Sequence, residues 1–239
     1  MGCTFCATGH EGLTRNLSSA EMICQIIAVQ NDFSCRVTNL VSMGQGEPFQ
    51  NYQATLEALR FANAKDGLEI GARHITVSTC GIIRGIERLA NEPEQFTLAV
   101  SLHSALQDVR NEIMPRCSNI PLPHLKKALR SYIEKTGRRV SFEYLLIKGV
   151  TDTEENLAAL IDFCDGLLCH VNLLSVNEVE GSPYKPSSTA TQQRWVKELK
   201  GAGKEATIRN SRGSDIDGAC GQLKNKMSVS YTHLTLPTT

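Results

Sequence analysis

A chain of 239 residues, 41% of them hydrophobic, can bury the core of one barrel-sized domain, and 25 basic against 25 acidic side chains give it no net positive field for nucleic acid. No run approaches the roughly 18 apolar residues of a membrane span, and no secretory signal opens the chain. Nine cysteines, odd in number and scattered, read as free thiols of a reducing, cytoplasmic compartment.

The chain opens on Met1-Gly2-Cys3-Thr4-Phe5-Cys6 and a glycine-dotted loop, Ala7-Thr8-Gly9-His10-Glu11-Gly12. Ser18-Ser19-Ala20-Glu21 then reads as a capping box, and Ile23, Ile26 and Ile27 give one apolar helical face. A strand is predicted from Val37 to Met43, ending at Gly44, followed by a helix carrying Leu56 and Leu59. Ile75-Thr76-Val77 is the next strand, and Ile82, Ile83, Ile86 and Leu89 mark the next helix. Phe96 to Val100 is the third strand. Leu125, Leu129, Tyr132 and Ile133 mark a helix that stops at Gly137, before a strand from Val140 to Ile147. Leu157, Leu160, Ile161 and Cys164 belong to a helix capped near Asp152 and ended by Gly166. Val171 to Val176, a helix around Trp195 and Val196, and Ala206 to Ile208 complete the order.

Strands alternating with helices over short connections imply a parallel α/β sheet with its helices outside. Six strands are predicted, and a further one leading into the cysteine loop would lie upstream of Met1. The expectation is therefore a partial (β/α)6 TIM-like barrel lacking its first strand. In such folds ligands bind at the C-terminal ends of the strands, and polar residues recur there: Val41-Ser42-Met43 runs into Gly44-Gln45-Gly46-Glu47-Pro48, Val77 into Ser78-Thr79, Val100 into Ser101-Leu102-His103, Val176 into Asn177, and Ile208 into Arg209-Asn210-Ser211-Arg212. Each alone can be a strand cap; their repetition argues for one common site.

The pair Cys3 and Cys6 can chelate one metal centre from a tight turn. A zinc site would need two further thiols or imidazoles at matched spacing, and no second Cys-x-x-Cys follows. A thioredoxin-like redox pair should open a helix, which Gly9 and Gly12 oppose. The third reading is an iron–sulfur cluster with a further cysteine upstream. At Gly44-Gln45-Gly46-Glu47 the glycines allow close backbone approach, and the Gly46 carbonyl and Glu47 carboxylate can accept hydrogen bonds from an ammonium group, although a glycine turn closed by Pro48 is the plainer reading. Cys220 lies among small residues in Arg212 to Leu223, a loop that suits a reactive thiol, whereas Cys24 and Cys164 sit on helical segments and read as core thiols.

Taken together, Gly2-Cys3-Thr4-Phe5-Cys6, Met43-Gly44-Gln45-Gly46-Glu47-Pro48, Thr76-Val77-Ser78-Thr79, Ser101-Leu102-His103 and Asp215-Ile216-Asp217-Gly218-Ala219-Cys220-Gly221-Gln222-Leu223 carry a resemblance. Residues 2 to about 226 resemble most of the catalytic domain of the radical S-adenosylmethionine (SAM) enzymes that methylate C2 of adenosine, the ribosomal RNA large subunit methyltransferase N family. The resemblance implies SAM and a [4Fe–4S] cluster as cofactors. It makes Cys3 and Cys6 two of three cluster cysteines, Gly46, Glu47, Ser78, Ser101, Leu102, His103 and Asn177 the SAM contacts, and Cys220 the cysteine that is itself methylated. It implies 23S rRNA as substrate, with tRNA left open by these residues, an electron donor such as flavodoxin or ferredoxin, and a monomer.

The chemistry so implied binds these parts together. C2 of adenine has no useful nucleophilicity, so one SAM methylates the cysteine and a second is cleaved reductively to a radical that activates that methyl group. The enzymes that methylate C8 share most of these words, and Gly46-Glu47-Pro48 keeps the proline usual in the C2 branch. A radical SAM enzyme with a non-RNA substrate and a zinc-binding structural module are the other readings. The first cluster cysteine would stand two positions before Met1, and the adduct-resolving cysteine, the general base and an RNA-binding domain also belong upstream. Lys126, Lys127, Arg130, Arg138 and Arg139 can meet phosphate or simply line a solvated face. Within 227–239, Val229 to Thr239 reads as a non-native tail, lacking helical periodicity and similar to a translated sequencing adapter.

Two thiolates leave one cysteine-ligated iron of such a cluster without its protein ligand. Anaerobic reconstitution of the 239-residue chain is therefore expected to fall well short of about four irons per chain. Iron analysis after desalting checks this, and a full complement would refute the expectation that the first cluster cysteine lies upstream of Met1.

Overall fold

The computed structural model describes residues 1–6, 12–177 and 182–209. Within them, six parallel strands form one sheet in chain order, β1 (Leu40–Ser42), β2 (Ile75–Thr79), β3 (Thr97–Ser101), β4 (Val140–Leu146), β5 (Cys169–Ser175) and β6 (Glu205–Arg209). Helix α1 (Ser19–Asp32) precedes β1; α2 (Tyr52–Asn63), α3 (Ile83–Leu89), α4 (Gln107–Ile113), α5 (Leu122–Thr136), α6 (Glu154–Cys164) and α7 (Thr189–Gly201) fill the crossovers. Because the order never reverses and crossovers are right-handed, the crossover helices fall on one face of the sheet. The result is the expected partial TIM-like barrel.

Local signals set most boundaries. Ser18 and Glu21 close the expected capping box at the start of α1, and α5 ends on Gly137 in the left-handed conformation. Helix α3 packs closely on the turn after β1, because a Cβ at Gly85 would lie 2.3 Å from the Phe49 ring. The cap of α6 falls near Asp152 as expected, at Thr153, whose hydroxyl accepts from the Asn156 amide, while Asp152 accepts from the Gly149 amide and the Ser187 hydroxyl. Two expectations need correction. Strand β1 is only Leu40–Ser42, shorter than the predicted Val37 to Met43. Cys24 is exposed rather than a core thiol, since α1 buries none of its residues, while Cys164 is buried as expected.

The core lies between sheet and helices. Phe142 meets Phe163 of α6 edge-on, with ring centroids 5.6 Å apart, and Tyr144 meets the buried Trp195 of α7 at 5.3 Å. Outside this core, Phe33, Leu13 and Val41 stay exposed, at 70%, 68% and 49%. Of the basic residues weighed as phosphate contacts, Arg138 donates to the carbonyls of Glu94 and Phe96, and Lys126 to that of Asp162. Arg138 and Arg139 precede β4, at the end of the sheet opposite the strands' C-terminal ends. Among the described residues no helix is long and apolar enough to cross a membrane.

Removing the ring that joins β4 to α6 should be costly. Phe142→Ala is expected to lose about 3–5 kcal/mol of stability, against less than about 0.5 kcal/mol for Phe33→Ala on the surface. Urea unfolding of the two variants checks the difference.

Candidate functional site

The side of the sheet that carries no crossover helix is polar. Side chains alternate along a strand, so with Phe142 and Tyr144 facing the helices, Ser141, Glu143 and Leu145 face the lumen. Strand register then assembles a row across β3 to β6: Ser101 pairs with Glu143, Glu143 with Asn172, and Asn172 with Thr207. The row is hydrogen-bonded, the Asn172 amide donating to Glu143 at 2.8 Å and the Thr207 hydroxyl to Asn172 at 3.2 Å. Arg209 stands 3.6 Å from the Glu143 carboxylate. Burial raises the Glu143 pKa above the usual carboxylate range, against the opposing effects of Asn172 and Arg209. A parallel sheet is normally covered by apolar side chains on both faces; this one instead offers donors and acceptors, as a ligand-holding lumen does.

At the C-terminal end of β1, Gly46 adopts φ +87° with open space where a Cβ would stand, as close backbone approach to a ligand requires. Glu47 is buried, and both carboxylate oxygens accept backbone amides: Phe49 at 3.0 Å and Cys80 at 2.7 Å. Its first task is thus to tie the turn after β1 to the end of β2, which the sequence did not reveal. The adjacent Ser78 is buried on β2, and the Thr79 hydroxyl accepts the amides of Gly81 and Ile82.

The turn after β3 meets the cysteine loop. His103 has φ +57°, its Nδ1 accepts the Leu145 amide at 3.2 Å, and its ring meets Phe5 edge-on at 4.9 Å. That bond leaves the proton on Nε2. Leu102 is fully buried, and both its amide and that of His103 donate to the Glu143 carbonyl. The cysteine loop is anchored through Thr4, whose amide donates to the Ile113 carbonyl of α4 at 3.0 Å and whose hydroxyl meets Tyr184 at 2.8 Å. Cys3 and Cys6 bracket this turn, closed by the Cys6 amide on the Cys3 carbonyl at 3.2 Å.

Burial, with Cys117 and Cys6 nearby, pushes the Cys3 thiol up to about 12, so the thiolate forms only when a cation takes the proton's place. Two soft sulfur donors on one turn fit an iron–sulfur centre. Among the described residues no group of three or more Cys, His, Asp and Glu is arranged to hold a metal.

The lumen thus brings together Ser78 and Ser101, with His103 in the turn after β3, Gly46 and Glu47 at the mouth, and Cys3 and Cys6 docked against it through Phe5, while the Leu102 side chain is buried in the core. Asn177 follows β5 at the same end of the sheet. Cys220, the loop around it and the tail lie outside the described residues. The sequence missed Glu143, Asn172 and two supports: Asn156, which accepts from the Ser104 and Tyr144 hydroxyls, and Arg110 of α4. Arg110 is wholly buried and donates to the carbonyls of Leu102 and Cys80. Only strand register and a three-dimensional neighbourhood expose these four.

Burial, and then the charge of Arg110, push the His103 pKa down to about 3 from 6.5, so the folded ring is neutral. An unfolded chain takes up the proton near pH 6.5. The stability that the neutral ring permits is therefore whole above that pH and is lost as pH falls towards 3, by at most about 1.4 kcal/mol per unit. His103→Asn, which tolerates the left-handed backbone, should show a shallower loss between pH 7 and 5 when urea midpoints are compared.

The comparisons with known proteins agree with this geometry. Residues 1–161 match the Radical SAM superfamily. The chain is 45% identical over 224 residues to the probable dual-specificity RNA methyltransferase RlmN of Clostridium novyi (strain NT), covering 94% of this chain and 65% of that protein. It is 46% identical over 226 residues to the protein of the same name from Alkaliphilus oremlandii (strain OhILAs), covering 95% and 66%. It thus spans just under two thirds of these relatives. Among solved structures, a radical SAM methyltransferase from Sphaerobacter thermophilus superposes with a TM-score of 0.89 at 46% identity, over 92% of this chain and 66% of that one. SuiB of Streptococcus suis bound to S-adenosylmethionine, at 18% identity, covers 88% of this chain and 48% of its own with a TM-score of 0.64, a likeness of fold alone. Polar lumen, cysteine turn and sequence match converge: the chain belongs to the radical SAM superfamily.

Proposed function

We propose that this chain is the catalytic part of a radical SAM RNA methyltransferase that acts on C2 of an adenosine in 23S rRNA, with tRNA as a second substrate. The observation that supports this best is the 45% identity over 224 residues to a protein named as a dual-specificity RNA methyltransferase. A cytoplasmic monomer served by a flavodoxin or ferredoxin belongs to the same reading.

Cys3 and Cys6 would hold a [4Fe–4S] cluster. Gly46, Glu47, Ser78, Ser101, Leu102, His103 and Asn177 would hold SAM. When bound, these groups supply the one-electron chemistry that lets a methyl group reach an unreactive aromatic carbon. The chain's own contribution is position and protection. Glu47, fixed by two amides, sets the open Gly46 turn, and the His103 ring keeps an Nε2 donor near the cysteine loop. The Ser101 position opens onto the lumen beside the buried Glu143. Cys220 would be the residue that carries the methyl group between SAM and a base presented out of its helix.

In the full-length protein, Cys220→Ala is expected to abolish adenosine methylation while cluster absorbance and SAM binding persist. Nucleoside mass spectrometry reads the result and separates 2-methyladenosine from its C8 isomer. Methylation at the wild-type level in the variant would remove Cys220 from the mechanism.

A further inference from the structure

Arg110 is the one charged side chain among the described residues with no exposed surface at all. Two of its nitrogens are used, Nε on the Leu102 carbonyl at 3.2 Å and Nη2 on the Cys80 carbonyl at 2.5 Å, while Nη1 is buried without a partner. No carboxylate among the described residues forms an ion pair with it. A guanidinium stays charged in proteins, and a buried charge without a counter-ion costs several kcal/mol. Neutral carbonyl acceptors reduce that cost without cancelling the charge.

The position of Arg110 suggests what cancels it. Ile113, one turn further along α4, gives its carbonyl to the Thr4 amide, so the helix that carries Arg110 also anchors the cysteine loop. On its other side the guanidinium reaches the turn after β3, next to His103, on which Phe5 of the same loop packs. The thiols on which its charge acts are Cys117, Cys80 and Cys3. Pairing with Cys80 lowers the Cys117 pKa and raises that of Cys80. Two groups are therefore candidates to balance Arg110: the Cys117 side chain, or the thiolate-bound cluster that Cys3 would help to hold.

We propose that Arg110 is a positioning residue for the iron–sulfur cluster, a buried counter-charge that favours its reduced, more anionic state. This rests on the cluster reading of Cys3 and Cys6. It is separate from the SAM contacts, because Arg110 would act on the cluster electrostatically from α4, the helix whose Ile113 carbonyl anchors the cysteine loop. Adding one electron to the cluster makes it more negative, and a fixed cation nearby raises the midpoint potential at which that electron is accepted.

The test is potentiometry on the anaerobically reconstituted full-length protein, with dithionite as reductant and the EPR signal of the reduced cluster as readout. Arg110→Gln removes the charge and should move the midpoint to more negative values at unchanged iron content, whereas Arg110→Lys keeps the charge and should restore most of the shift. An unmoved midpoint in Arg110→Gln, or equal shifts in both variants, would overturn the proposal.

Cys117→Ser replaces one small buried side chain by another and covers the case in which the arginine variants do not fold. If the cluster is the counter-ion, its midpoint stays at the wild-type value. If the Cys117 thiolate is the counter-ion, losing it leaves Arg110 unbalanced and the midpoint rises, which overturns the proposal. Absence of any cluster signal in the wild-type protein would overturn the cluster reading and this inference with it, whereas a normal wild-type signal with an unmoved Arg110→Gln midpoint overturns this inference alone.

Discussion

Six strands that follow one another in chain order must send their crossovers to the same side, and this single direction of winding governs the rest of the molecule. One face of the sheet receives the crossover helices and the apolar core built on Phe142, Tyr144 and Trp195. The other receives no crossover helix, so hydrophobic burial does not dictate its residues. Alternation along each strand then separates two kinds of residue, with apolar burial coded at one parity of positions and polar side chains at the other. The row Ser101, Glu143, Asn172 and Thr207 occupies the second parity on four successive strands, and the polar turns sit at the ends of the same strands.

Several residues at these ends hold the architecture and line the candidate site together. The Glu143 carbonyl accepts the amides of Leu102 and His103, while its carboxylate faces the lumen. Glu47 closes the turn of its own strand and holds the next strand through the Cys80 amide. His103 occupies a left-handed backbone position that β-branched residues avoid. That geometry is held by the Leu145 amide below the ring and Phe5 beside it. A site assembled in this way exists only when the sheet does, so folding and ligand geometry are one event.

Much of this was legible in the sequence, for a physical reason: β2, β3, β4, α5 and α6 bury one face or both, and burial writes itself as periodicity. Helix α4 went unread because its inward face is formed by Arg110 and Ile113, and a buried cation erases the apolar pattern that would mark the helix. Cys24 misled in the opposite sense. Its helix carries an amphipathic pattern, yet none of its residues is buried among the described residues. The turns of the candidate site were legible where polar words follow strands, at Gly46-Glu47, Ser78 and Ser101-Leu102-His103. It was illegible at Glu143 and Asn172, which become neighbours only through strand register.

The exposed Phe33, Leu13 and Val41 bear on how the chain behaves among its own copies. With 25 positive and 25 negative side chains, its molecules carry no net charge with which to repel one another near pH 7. Apolar contact is then opposed by little more than the loss of translational freedom, and colloidal attraction is strongest at physiological pH. Moving a unit or two to the alkaline side of neutrality restores like-charge repulsion while His103 stays neutral and the Phe142 and Trp195 core is untouched, so on that side solubility and folding of this chain are separable properties, set by different surfaces.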